Sequence, residues 1–186
     1  MTHSARSEAR TLAILVDNEP GVLARVVGLF SARGYNIESL TVAETDTAAH
    51  TSRITVVTRG EPATIDQIKS QLDRIVSVRQ VIDVTDDAAG VLRELALVKV
   101  RSSGQDRIEA LRVADIFRAK VIDTTLESFI FEVTGASEKV DAFIDLMRPI
   151  GLTEISRTGV LSIHRGPHAD RLMGGDAERS PEPLAS

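Results

Sequence analysis

The sequence predicts an α+β fold, two tandem ferredoxin-like βαββαβ sandwiches over residues 11–86 and 92–164. Three observations carry that prediction. The apolar period switches repeatedly between the two-residue repeat of strands and the 3.6-residue repeat of helices along the 186-residue chain. The switches run through the same order twice. Between the two series, Asp86-Asp87-Ala88-Ala89-Gly90 has no large apolar residue and reads as a linker.

In the first series, Leu12–Val16 is a short apolar run of strand type. After Asp17-Asn18-Glu19-Pro20-Gly21, residues Val22, Leu23, Val26, Val27 and Phe30 share one face at helical spacing. Arg33-Gly34 ends that helix, because glycine readily takes the left-handed conformation just past a helix end. Asn36–Glu44 and Ser52–Thr58 are strands joined by the polar stretch Thr45–Thr51. Pro62 near the start, with Ile65, Ile68, Leu72 and Ile75, marks a second helix. Val76–Thr85 is rich in β-branched residues and closes the unit as a strand.

The second series repeats the order. Leu95–Val100 is a strand, and Ile108, Leu111 and Phe117 mark the apolar face of a helix. Lys120–Thr124 and Ser128–Thr134 form a strand pair. Val140, Phe143, Ile144 and Met147 have i, i+3, i+4, i+7 spacing, and Leu152–Ile163 completes the unit. In such sandwiches both helices cover the same face of the sheet. The other face, if apolar, needs burial against another element or another copy, so oligomerisation is expected. Residues 1–10 and 165–186 hold too few large apolar side chains to offset their ordering entropy and read as flexible termini.

Composition narrows the function. The net charge of −5 gives no electrostatic reason to expect nucleic acid or an acidic membrane as partner. The absence of cysteine excludes disulfides, thiolate zinc sites, iron–sulfur clusters and cysteine nucleophiles, and suits the cytoplasm. The longest apolar run, Leu12–Val16, is far short of a membrane span and lacks signal-peptide flanks. No dinucleotide fingerprint, Walker loop, nucleophile elbow or His-Glu-x-x-His motif is present. The histidines, His3, His50, His164 and His168, lie in a terminus, a loop and the last strand-to-tail segment. Gly166-Pro167 between His164 and His168 opposes a helix that would align them on a metal, so no metal site is expected. These features argue against an enzyme acting alone.

Asp17-Asn18-Glu19-Pro20-Gly21-Val22-Leu23 is the most informative stretch. It carries a strand into a helix, where the first N–H groups have no intrahelical partner. Such amides can hold a carboxylate, and the Asn18 side-chain oxygen can accept from an ammonium group. One loop can therefore take both ends of an α-amino acid; an ordinary tight turn shaped by Pro20 and Gly21 remains the alternative. Arg33-Gly34-Tyr35-Asn36-Ile37-Glu38-Ser39-Leu40 reads either as a helix stop entering a strand or as a far pocket wall contributed across a subunit interface. In the latter, Ile37 would pack on an aliphatic side chain at about 0.8 kcal/mol per buried methylene. In the second unit, Ser102-Ser103-Gly104-Gln105-Asp106 stands where the first has its loop, and reads as an N-cap or as an anion-accepting helix start.

The run from Asp17 to Asp46, with Gly34–Leu40 as its most specific part, resembles the ACT domain of the regulatory (small) subunits of acetolactate synthase, or acetohydroxyacid synthase. The resemblance continues collinearly through Ser52–Val56, Arg93–Val100, Ile116–Asp123, Lys139–Phe143 and Ser156–Gly159. It covers roughly residues 10 to 166. It implies a subunit with no active site and no cofactor of its own. The large catalytic partner would use thiamine diphosphate, Mg²⁺ and FAD to join pyruvate with a second 2-keto acid, towards valine, leucine and isoleucine. The regulatory subunit would activate that partner and confer feedback inhibition, most often by valine. The resemblance further implies a homodimer through the ACT domains. Asn18, Gly21, Val22 and Leu23 of one chain and Asn36 and Ile37 of the other would hold the effector. Two departures stand out: Thr45–Thr51 has fewer Pro and Gly residues than usual for the family, and the tail after Gly166 has no family pattern. A free-standing ACT sensor for another enzyme or a transcription factor would share the pocket but need another partner. A small ferredoxin-like enzyme would need a catalytic constellation that the sequence does not show.

Overall fold

The computed structural model describes residues 8–85 and 90–165; the linker residues 86–89 and the termini 1–7 and 166–186 lie outside the described residues. The first unit contains β1 (Glu8–Asp17), α1 (Val22–Ala32), β2 (Ile37–Asp46), β3 (Thr51–Gly60), α2 (Pro62–Leu72) and β4 (Val78–Asp83). The second contains β5 (Gly90–Arg101), α3 (Gly104–Phe117), β6 (Lys120–Thr124), β7 (Ser128–Gly135), α4 (Ser137–Gly151) and β8 (Leu152–Arg157), with a short β9 (Leu161–His164) after it. Both sheets are antiparallel, ordered β2-β3-β1-β4 and β6-β7-β5-β8, with β9 paired to the start of β5. This is the α+β, doubled ferredoxin-like architecture that the sequence predicts.

Two-residue alternation in the strands separates the faces of the first sheet. Leu12, Ile14 and Val16 of β1 join Ile54 and Val56 of β3 beneath Val22, Val26, Phe30, Ile65, Ile68 and Leu72 of the helices. In the second sheet Ala96, Val98 and Val100 with Phe129, Phe131 and Val133 form the corresponding floor. Phe143 of α4 meets Phe131 edge-on at 6.1 Å and Phe117 of α3 at 5.5 Å. Edge contacts of this kind suit the ring quadrupole.

Several boundaries or faces differ from the sequence reading. Strand β1 starts at Glu8, so Glu8–Arg10 of the expected flexible terminus pair with Thr58–Gly60 of β3. Helix α2 stops at Leu72, and three tight amide bonds (Asp73 to Lys69, Arg74 to Gln71, Ile75 to Leu72) carry the chain round to β4. Ile75 therefore packs from a turn, and Val76, expected in a strand, is 98% exposed. In α3 the buried residues are Ala110, Val113 and Ala114, whereas Ile108 and Leu111 are exposed and Phe117 is half-buried. Small side chains let α3 lie close against α4, so volume rather than hydrophobicity selects the inner face. The expected strand Leu152–Ile163 is broken at Thr158–Val160 into β8 and β9. Finally, β5 begins at Gly90, five residues before the expected strand start at Leu95, so Gly90 leaves the linker and Gly90–Arg93 pair with β9.

The face of the first sheet turned away from its helices is covered by the chain itself. Ala13, Leu15 and Thr55 point to that side and are buried. Thr41 Oγ1 donates to the Thr158 carbonyl at 3.1 Å, Val160 N–H donates to Ser39 Oγ at 3.3 Å, and Arg53 Nη2 donates to Ser162 Oγ at 3.0 Å. Burial pushes the Arg53 pKa down. Thr158 N–H also donates to the Leu95 carbonyl at 3.0 Å, so the β8–β9 connection is held by both units. Gly159, at φ +80, lies so close to β2 that a Cβ there would collide with Ser39 Oγ. Gly159→Ala meets both a steric and a left-handed backbone penalty, and is expected to cost about 1–3 kcal/mol. A thermal melt should fall accordingly; an unchanged midpoint would mean that the segment docks loosely.

Candidate functional site

The β1–α1 loop is built by hydrogen bonds from three directions. Asp17 N–H donates to the Ser77 carbonyl at 2.8 Å, Asn18 N–H to the His50 carbonyl at 2.7 Å, and Glu19 N–H to the Asp17 carbonyl at 2.8 Å. Arg79 Nε donates to Asp17 Oδ1 at 2.6 Å. Glu19 Oε2 accepts from Ser77 Oγ at 2.9 Å and from Arg25 Nη2 at 3.3 Å. The acidic groups beside Asn18 are thus already engaged by arginines, which leaves the loop tip free of an uncompensated negative charge.

Gly21 is the N-cap of α1 at φ +82 and ψ 0. That left-handed geometry is costly for most other residues, and a Cβ there would meet nothing within 4 Å. No side chain caps the helix and its first turn has no acidic residue. The Val22 side chain is in the core and its N–H reaches the Glu19 carbonyl at 3.2 Å, whereas Leu23 stands exposed at the mouth of the turn. The start of α1 at Gly21 is open to solvent with the exposed Asn18 beside it, and free amides at such a helix start can accept an anion.

Asn36 and Ile37 are placed elsewhere. Ile37 pairs with Thr58 and packs against the first core, and the Asn36 carbonyl accepts from Thr58 Oγ1 at 2.7 Å. Asp17 pairs with Thr51, seven residues along the same strand, so the two groups lie about 20–25 Å apart within one chain. A single chain does not bring them together. The stretch joining β2 to β3, uncertain from sequence, shortens to residues 47–50: Asp46 Oδ1 accepts from Ala48 and Ala49 N–H at 2.8 and 3.0 Å, and His50 turns the chain at φ 47.

Sequence reasoning missed an interdomain cavity of about 470 Å³ that is lined by Glu38 and Ser39 of β2, Glu94 of β5 and Arg157–Val160. Arg157 Nε and Nη2 each donate to the buried Glu94 carboxylate at 2.6 Å, and Nη1 donates to Asp141 at 2.6 Å. Hydrogen bonding to Glu94, outweighing burial and supplemented by Asp141, raises the Arg157 pKa above its ordinary value. The signal was present as Glu94 and Arg157, but they are 63 positions apart and no spacing rule links them. Among the described residues no group of three or more His, Asp or Glu side chains could hold a metal ion. No described helix is long and apolar enough to cross a membrane.

Known proteins match along the same two units. The model for the AHAS small subunit-like ACT domain matches residues 12–80, and that for the small subunit of acetolactate synthase matches residues 93–166. A probable acetolactate synthase small subunit of Archaeoglobus fulgidus is 46% identical over 156 residues, covering 84% of this chain and 96% of that protein. The acetolactate synthase isozyme 3 small subunit of Salmonella typhimurium is 43% identical over 165 residues, covering 88% and 98%. The crystal structure of the Thermotoga maritima acetolactate synthase small subunit superposes with a TM-score of 0.78 at 39% identity, over 86% of this chain and 99% of that one. With both units matched in order and nearly the full length of these relatives spanned, the chain belongs to the acetolactate synthase small-subunit family.

Proposed function

We propose that this chain is the regulatory, non-catalytic subunit of a cytoplasmic acetolactate synthase. It activates a thiamine-diphosphate-dependent large subunit, whose Mg²⁺ and FAD also belong to that partner, and confers feedback inhibition by a branched-chain amino acid, valine first among them. The observation that carries the sensor reading is the uncapped start of α1 at Gly21, open to solvent and flanked by Asn18. The effector's carboxylate would sit on the amides after Gly21, and its ammonium group against the Asn18 side-chain oxygen. The wall formed by Asn36 and Ile37 lies too far away in the same chain, which supports a homodimer in which a second ACT domain supplies it. Ile37 then sets the size of the accepted side chain, although one methylene discriminates by only about 1–3 kcal/mol.

Reconstitution tests the proposal. Adding this chain to the purified large subunit is expected to raise its rate of acetolactate formation and make that rate fall with L-valine. Asn18→Ala should preserve activation and weaken inhibition. A catalytic subunit indifferent to this chain would overturn the regulatory reading, and inhibition unaffected by Asn18→Ala would overturn the site.

A further inference from the structure

We propose that the turn between β5 and α3 in the C-terminal unit is a second small-molecule site, one that takes an α-amino acid as its zwitterion. The proposal is independent of the Gly21 loop. It begins at Ser103, the N-cap of α3, where the backbone is extended and no side chain caps the helix, so the serine cap admitted by the sequence is not formed. The 14-residue helix therefore presents its first amides uncapped.

A second observation points to a ligand. Ser102, just before the cap, is 6% exposed and its Oγ has no hydrogen-bond partner. It lines a cavity of about 420 Å³ with Arg101, Ser103, Asp106 and Glu127. A hydroxyl both donates and accepts, and natural folds rarely bury one unpaired. A ligand oxygen on the α3 amides would give it an acceptor. The space is open there, since a Cβ on Gly104 would meet nothing within 4 Å.

Charge selects the class of ligand. A neighbouring cavity of about 650 Å³ shares Arg101 and Glu127 and adds Lys99 and Leu126. Across the two cavities, Lys99 and Arg101 balance Asp106 and Glu127. An inorganic anion would meet both carboxylates, and a simple cation would leave the helix amides unused. Arg101 Nη2 donates to Glu127 Oε2 at 3.3 Å in an exposed ion pair. A zwitterion inserts into that pair, its carboxylate on the amides, Arg101 and Ser102, its ammonium towards Glu127 and Asp106. An aliphatic side chain would then cover Leu126, which is 92% exposed.

The site is already ordered. Ser102 N–H donates to the Glu127 carbonyl at 3.0 Å, and Glu127 and Ser128 N–H donate to Thr125 Oγ1 at 3.2 and 3.0 Å. Arg107 ties the turn to α3 through Thr124 Oγ1 at 3.0 Å while its guanidinium lies 3.9 Å from the Phe129 ring centroid. Binding would not have to order this wall, which lowers its entropic cost.

The test uses the full-length chain, ¹⁵N-labelled and carrying Gly21→Asp, titrated with L-valine, L-leucine, L-isoleucine and inorganic phosphate. Saturable shifts of the Gly104, Gln105 and Asp106 amides with at least one amino acid, and much weaker ones with phosphate, are expected. Ser102→Ala should weaken that binding about tenfold, as loss of one bond to a charged group does, without lowering the thermal midpoint, because the hydroxyl has no partner in the free protein. Absence of shifts at α3, equal response to phosphate, or affinity unchanged by Ser102→Ala would each overturn the proposal. The unsubstituted chain, titrated in parallel, reports on the Asn18–Leu23 loop separately, so failure of one site is distinguishable from failure of the other.

Discussion

A complex containing Gly21→Asp is expected to lose its response to valine, with effector affinity reduced roughly a thousandfold. The backbone at this position is left-handed, a conformation that Asp and Asn tolerate better than most residues. An acidic N-cap is also favourable to the helix, so the substitution should leave the fold intact. What changes is the open helix start, where a second carboxylate would stand against the effector's own. Two like charges about 4 Å apart near a protein surface repel by about 4 kcal/mol, which corresponds to that factor. Gly21→Asn is the control, since it has the same shape without the charge and should retain more of the affinity. The inhibition curve of each reconstituted complex, measured with saturating substrate, reads the difference. Equal valine sensitivity in Gly21→Asp and wild type would remove the loop from the effector site.

Arg157→Met is expected to destabilise the second unit by about 3 kcal/mol. Glu94 is 5% exposed and both its oxygens accept from this one guanidinium. Truncation of Arg157 strands a buried carboxylate, which costs several kcal/mol where the partner is fully buried. The figure is at the low end because the Arg157 side chain keeps 36% of its surface in water. For a domain of this size the thermal midpoint should fall by on the order of 10–20 °C. The double substitution Arg157→Met/Glu94→Leu should recover most of the loss, because the unpaired charge rather than the missing pair causes it. A single substitution that melts within about 2 °C of wild type would contradict this account of the pair.

The elements legible in the sequence are those decided locally. Leu12–Val16 is apolar on both faces, and the structure agrees: Leu12, Ile14 and Val16 face the helices, and Ala13 and Leu15 are buried on the opposite face of the sheet. Strong large-residue periodicity gives the inner face of α4, with Val140, Phe143, Ile144 and Met147 buried, and most of that of α1, where Val22, Val26 and Phe30 are buried but Leu23, expected on the same face, is exposed and Val27 is half-buried. In α3 the same rule chose Ile108 and Leu111, because hydrophobicity was scored without the volume that α4 leaves. Of the candidate site, the Gly21 turn was readable because a strand, a Pro-Gly pair and a helix start are adjacent. The distance from Asn18 to Asn36 within one chain was not, since it depends on strand register, although the sequence already assigned Asn36 to another chain. Nor was the Glu94–Arg157 pair, or the orphan hydroxyl of Ser102, each of which exists only once distant segments meet.

The cover over the first sheet has a consequence for the order of synthesis. Ser39 and Val160 are 121 positions apart, and Thr41 and Thr158 are 117 apart. A ribosome therefore releases the entire ACT unit long before the residues that shield its second face exist. Until then Ala13, Leu15 and Thr55, on the two central strands of the sheet, are bare. Closing so long a loop is slow, and the interval favours sticking to other nascent chains. A premature stop before Thr158 would make that interval permanent, so frameshifts late in the gene should yield insoluble product rather than a working half-subunit.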